Sequence, residues 1–280
     1  MRWTPRGRSS NLEDRRGRGI GTSMGVGGTV VLLVLSVLFG RNLFTDLGVD
    51  PGSALLEQQS VPMTAADSAR EEPVVEFVSF VLDDAQATWR EIFQQANASY
   101  QDAKLVLFRN AVQSGCGSAQ SAMGPFYCPL DQKVYIDLGF YDELENRFGA
   151  PGDFAQAYVL AHEIGHHIQN LLGTEAKVRQ AQRANPRLAN ALSVQMELQA
   201  DCYAGVWGYS TSRRNLLERG DVEEGLAAAS AVGDDRIQQQ STGQISPESF
   251  THGSSAQRST WFRRGFDSGD PRQCDTFRDQ

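Results

Sequence analysis

The chain has 280 residues, enough for one sizeable domain with extensions. Hydrophobic residues make up 40 % and charged residues 21 %, which excludes wholesale disorder and collagen-like repeats. With 26 basic against 34 acidic residues the net charge is −8, which argues against a nucleic-acid partner.

Charge is unevenly spread. Seven arginines against Glu13 and Asp14 give Met1–Arg41 about +5. Gly19–Gly40 carries no charge, and its second half, Thr29–Phe39 (TVVLLVLSVLF), is strongly apolar. An uncharged run of roughly 20 residues has the length of a tilted membrane helix. The positive-inside rule then predicts an Arg-rich cytoplasmic head at 1–18, a transmembrane anchor at 19–40 and an extracytoplasmic body. On this reading the chain is a single-pass membrane protein. A cleavable signal peptide is the alternative, although no small-x-small site directly follows Phe39.

Residues 41–73, rich in Ser, Ala, Gln and acids, read as a linker, and 74–280 as the folded domain. Val74–Ala98 has apolar residues at helical spacing, and Lys104–Phe108 (KLVLF) reads as a strand. Four cysteines, Cys116, Cys128, Cys202 and Cys274, suit two disulfides in an exported domain, with three pairings open. The Gly/Ser loop between Cys116 and Cys128 favours a short bridge there, which leaves Cys202 with Cys274. In Lys133–Leu138 the apolar Val134, Ile136 and Leu138 alternate with Tyr135 and Asp137, as in a half-buried strand at a sheet edge. Asp153 with Gln156 forms a capping-box pattern that starts a helix running to Gly173. Further helices are predicted over Leu188–Ser210, Val222–Asp234 and Ser254–Phe266. The fold class is α+β, mostly helical with a small sheet.

Within the Asp153 helix lies His162-Glu163-Ile164-Gly165-His166. Residues i and i+4 share a helix face, so both imidazoles can reach one zinc ion. Glu163 sits about 100° round the helix, beside the ion, where it can take a proton from water activated by the zinc. A catalytic zinc needs a third protein ligand. The next helix offers Glu197 as that ligand, with Asp201 one turn on to accept the free N–H of a ligand histidine, His162 first. The small Ala200, Ala204, Gly205 and Gly208 would let the two helices approach closely. His167 points away from this face and reads as a partly exposed helix residue. His252 is the candidate donor to the oxyanion, with Arg258 and Tyr203 as rivals. An extended peptide would pair with the Lys133–Leu138 edge, with Tyr135 and Asp137 lining the cleft.

HExxH followed by ExxxD on a later helix resembles the gluzincin, thermolysin-like metallopeptidases. The stretches MRW…NLEDRRG, SGCG…GPFYCP…VYID, HEIGHHIQNLLG, MELQADCYAG and THGSSAQR…WF…GF…GDP resemble more closely the putative neutral zinc metallopeptidase family of bacterial membrane-anchored proteins. The resemblance implies a zincin-like domain with one zinc per chain. It implies His162, His166 and Glu197 as ligands, Glu163 as general base and Asp201 as support to a ligand histidine. The expected function is a membrane-anchored zinc metalloendopeptidase, a hydrolase acting on extracytoplasmic proteins or peptides. An envelope scaffold that keeps zinc for structure, and zinc-water chemistry on a cell-wall amide, are the alternatives. Oligomeric state stays open.

Overall fold

The computed structural model describes residues 1–17 and 64–278. The anchor expected at 19–40 lies outside these described residues, as does most of the expected linker.

A four-stranded sheet has the order β1-β2-β6-β5, with β1 at Leu12–Asp14, β2 at Lys104–Phe108, β6 at Lys133–Asp137 and β5 at Phe126–Cys128. β1, β2 and β6 run parallel, and β5 is antiparallel to β6, with Phe126 opposite Tyr135. A separate hairpin, β3 (Ala111–Ser114) and β4 (Gly117–Gln120), lies between the two central strands in sequence. The strand expected at an edge, Lys133–Leu138, is therefore internal, and β5 holds the edge. Alternation reads the same in both positions, because it reports which face is buried and not how many neighbours a strand has. Tyr135 and Asp137 are buried rather than lining a cleft. The Tyr135 hydroxyl donates to Asp131 at 2.6 Å, and Asp137 accepts from the Asn110 and Gly139 amides.

Eight helices are described: α1 (Ala65–Gln95), α2 (Gly139–Asn146), α3 (Asp153–Leu171), α4 (Thr174–Ala184), α5 (Ala189–Arg213), α6 (Asp221–Ala231), α7 (Asp234–Ser241) and α8 (Ser255–Ser268). α1 begins well before Val74, inside the expected linker. Thr64 and Asp67 cap it reciprocally, and Pro73 sits within it. The Asp153 side chain does not cap α3. Gly152 occupies that position at φ 113°, and the amide of Phe154 donates to Glu224 at 3.2 Å. The Asp153 carboxylate instead takes the Met1 ammonium at 2.7 and 2.8 Å. The disulfides are Cys116–Cys128 and Cys202–Cys274.

The Arg-rich head is part of this domain. Its β1 adds a strand to the sheet, Trp3 packs on Phe77 and Phe80, and the Arg15 amide donates to the Leu107 carbonyl at 2.8 Å. The Arg16 side chain is fully buried between Asp14 and Glu71, at 2.7 Å from each. A head that donates a strand to the domain's own sheet cannot lie across a bilayer from it. Among the described residues no helix is long and apolar enough to cross a membrane. These two findings overturn the expected placement of a single-pass protein with a cytoplasmic head and an extracytoplasmic body.

Removing a buried guanidinium from Asp14 and Glu71, which keep Arg8 and Arg109 as partners, loses charged hydrogen bonds worth on the order of 2 kcal/mol. Arg16→Ala should lower the thermal or denaturant midpoint accordingly, and Arg2→Ala, an exposed residue, should leave it nearly unchanged.

Candidate metal centre

α3 and α5 cross where Gly165 meets Ala200. A Cβ on Gly165 would stand 2.9 Å from the Ala200 carbonyl oxygen, so this residue of the motif is where the helices touch. Gly205, expected to face α3, faces α8 instead, and Gly208 lies against both helices, with the Phe154 ring of α3 3.5 Å from where its Cβ would stand. A Cβ on Gly205 would meet the Phe262 carbonyl at 2.1 Å, and one on Gly208 the Phe266 ring at 3.0 Å.

That contact brings the α3 imidazoles to the first carboxylate of α5. His162 Nε2 lies 3.2 Å from Glu197 Oε2, and His166 Nε2 lies 3.4 Å from Glu197 Oε1. One ligand atom from each of the three residues falls within 4.8 Å of the others. The far nitrogens are also bound. His162 Nδ1 meets Asp201 Oδ1 at 2.8 Å, and His166 Nδ1 meets Gln169 Oε1 at 2.8 Å. Both acceptors are oxygens, so both rings carry a proton on Nδ1, which leaves the Nε2 that faces Glu197 as the atom that takes either a second proton or a metal ion. Acceptors that converge on acceptors call for a cation between them. Two imidazoles and a carboxylate suit zinc, so the residues fit that ion.

Asp201 is fully buried and accepts from three side chains. Besides His162 these are Tyr158, at 2.5 Å, and Arg258, whose Nε and Nη2 both reach it at 2.9 Å. Burial favours the neutral acid here, but the charges of Arg258 and His162 hold Asp201 below the usual carboxylate range. Burial likewise opposes charge on Glu197, yet His166 and the bonds from both imidazoles hold it well below its ordinary value. For His162, desolvation is outweighed by the Asp201 charge, and the ring is pushed up to about 10. Glu163 moves the other way. Buried beside this cluster, its carboxyl is raised by desolvation.

The site opens into a cleft of about 720 Å³. His162, Glu163, His166 and Glu197 line it, with Phe126 and Tyr127 of β5, and Phe140, Phe148 and Ile237. His252 lines it too, half-exposed, on a loop fastened by Asp234. Asp234 Oδ2 accepts the amides of Thr251, His252 and Gly253 at 2.7, 2.6 and 3.0 Å, and Oδ1 lies 3.2 Å from His252 Nδ1. That bond is the main reason the His252 pKa is raised. Of the rival donors, Arg258 also lines the cleft, with Nη2 3.3 Å from His162 Nδ1, and Tyr203 does not. Arg258 is buried on Asp201, and Tyr203 packs edge-on against Trp89, 5.2 Å between centroids.

His167 differs from its expectation. It is fully buried, with Nε2 2.6 Å from the Gln101 carbonyl and Nδ1 3.0 Å from the Tyr127 hydroxyl. The third histidine of HEIGHH thus ties α3 to the edge strand. Tyr158, Gln169 and Asp234 escaped the sequence reading as site residues. Tyr158 and Gln169 stand four before His162 and three after His166, spacings that place them over the same turns.

Helix-borne imidazoles and a carboxylate arranged in this way are a donor set of the zinc-hydrolase type. The chain belongs to the family described as putative neutral zinc metallopeptidase, which matches residues 1–277 and so includes the head. The family implies zinc, hydrolase chemistry, and peptide or protein substrates. The chain is 51 % identical over 289 residues to the uncharacterized protein YpfJ of Escherichia coli (strain K12), covering 99 % of each. It is 42 % identical over 259 residues to the uncharacterized protein Rv2575 of Mycobacterium tuberculosis (strain ATCC 25618 / H37Rv), covering 82 % of this chain and 84 % of that one. No solved structure matches it.

Zinc and the proton compete for the same two Nε2 atoms. A histidine with a raised folded pKa contributes stability that is complete below its unfolded value of 6.5 and lost as pH rises through about 10. Zinc affinity should therefore weaken as pH falls below about 10, with up to one proton released from each ring on binding. Chelator competition across that range, with calorimetry in buffers of different ionisation heat, measures both.

Proposed function

We propose that the protein is a zinc-dependent endopeptidase with one ion per chain, held by His162, His166 and Glu197. The observation that carries this reading is the convergence of those three donors with the buried Glu163 in the wall of one cleft. When bound, the ion supplies Lewis acidity, which makes water a nucleophile at neutral pH and polarises a peptide carbonyl.

The remaining work falls to the chain's own side chains. Glu163, with its pKa raised by burial, takes the proton of the attacking water and passes it to the leaving amine. His252, oriented by Asp234 through Nδ1, donates to the oxyanion. Asp201 and Gln169 keep the protons of His162 and His166 on Nδ1. The substrate adds as a strand beside β5, where Phe126 and Tyr127 already line the cleft. Phe140, Phe148, Val159 and Ile237 supply apolar surface for the side chains that flank the scissile bond.

Glu163→Gln should abolish cleavage of internally quenched peptides, by about 10³-fold or more, while zinc content stays at the wild-type value. Retained activity in that variant would remove Glu163 from the chemistry. His252→Ala should lower kcat by about 10²-fold with little change in KM or zinc content.

A further inference from the structure

We infer that the second imidazole of the site, His166, is set by a relay of two buried glutamine amides that ends on the tail disulfide. Gln169, Gln199 and the Cys202–Cys274 bridge are then positioning residues for a zinc ligand, an inference that rests on the zinc reading above.

The relay runs in one direction. His166 Nδ1 meets Gln169 Oε1 at 2.8 Å. Gln169 Nε2 donates to the Met196 carbonyl at 2.7 Å and to Gln199 Oε1 at 3.2 Å. Gln199 Nε2 in turn donates to the Cys274 carbonyl at 3.0 Å. An isolated amide can be turned over with little change in shape, so one such bond would fix nothing. Here two backbone carbonyls, which only accept, remove the freedom. The Cys274 carbonyl requires the NH2 of Gln199 to face it, which turns Gln199 Oε1 towards Gln169. Met196 and Gln199 together require the NH2 of Gln169, which turns Gln169 Oε1 towards His166. An acceptor there keeps the ring proton on Nδ1 and leaves Nε2 free for the ion.

Burial makes the chain of bonds consequential. Gln169 and Cys274 are fully buried and Gln199 is nearly so, which shields the bonds from bulk water. The far end is the 3-10 turn Pro271–Cys274 that follows α8, and the bridge to Cys202 fastens it to α5. Cys202 lies three residues after Gln199 on α5, so bridge and amide grip the tail over the same helical turn. Thr276 adds a bond from its hydroxyl to the Gln195 carbonyl at 2.8 Å. The Cys116–Cys128 bridge has no part in this path and serves as the internal control.

The test uses the full chain. Zinc affinity is measured by competition with a chromophoric chelator for wild type, Gln199→Glu, and the paired variants Cys202→Ala/Cys274→Ala and Cys116→Ala/Cys128→Ala. Gln199→Glu keeps the shape, loses the donor and sets a carboxylate against the Cys274 carbonyl, so it cannot keep its place between that carbonyl and Gln169. It and the tail-bridge pair should each bind zinc about 10- to 100-fold more weakly, and the loop-bridge pair within about 3-fold of wild type. Thermal melts confirm that each variant is folded. Long-range ¹H–¹⁵N NMR on wild type should show His166 protonated at Nδ1, with that proton exchanging fast in Gln199→Glu. The wild-type spectrum needs no variant to fold and no zinc to bind. A His166 without a proton on Nδ1 in wild type, or unchanged affinity and proton exchange in Gln199→Glu, would overturn the relay. A wild type that binds no zinc yet shows the protected Nδ1 proton would sink the zinc reading and leave the relay standing.

Discussion

The metal centre depends on the close approach of α3 and α5 at Gly165 and Ala200. With any larger residue at Gly165 the helices would move apart, and Glu197 would leave the two imidazoles. α5 carries the opposite requirement on its other face. Gly205 meets the α8 backbone, and Gly265 of α8 fits against the Cys202 carbonyl, where a Cβ would stand 1.9 Å away. One helix is thus gripped from both sides by residues without side chains. Through that grip Arg258 of α8 reaches Asp201 of α5, and Asp201 reaches His162 of α3.

Three donors on one buried carboxylate form a closed cluster. Truncating one member of such a set leaves uncompensated charge in a dry interior, which costs more than the cluster contributes when intact. The two ligand histidines are supported differently. His162 leans on a charged acceptor within an ion network, and His166 on a neutral amide that reaches the tail. The third histidine, His167, spends both nitrogens on holding the cleft wall, through Tyr127 of the edge strand and the Gln101 carbonyl. The head closes the opposite edge of the same sheet with β1. Head, sheet and metal helix are therefore one mechanical unit, in keeping with a family match that begins at residue 1.

What could be read from the sequence was local. The spacings of His162, His166, Glu197 and Asp201 follow from helix geometry alone, and the structure brings these residues together on two adjoining helices. The pairing of Cys116 with Cys128 follows from a short loop. Features settled by distant partners were hidden. The Leu12–Asp14 strand is three residues with no alternation to mark it, and its existence depends on β2, some 90 residues later. Asp153 has the pattern of a cap but is claimed by the Met1 ammonium. Pointing away from the ligand face suggested a partly exposed His167, and only the fold brings the Gln101 carbonyl and Tyr127 to it. The Arg-rich head had the composition of a cytoplasmic flank. Arg16 and Arg8 instead pair with Glu71 and Glu72 of α1, a match in space that composition cannot register.

The most direct measurement is elemental analysis of the purified full chain beside a Glu197→Ala variant shown to be folded. The account predicts close to one zinc per wild-type chain, and its loss or marked weakening in the variant. A folded wild type without zinc, or a variant that keeps zinc at wild-type affinity, would contradict the ligand set and the hydrolytic reading built on it.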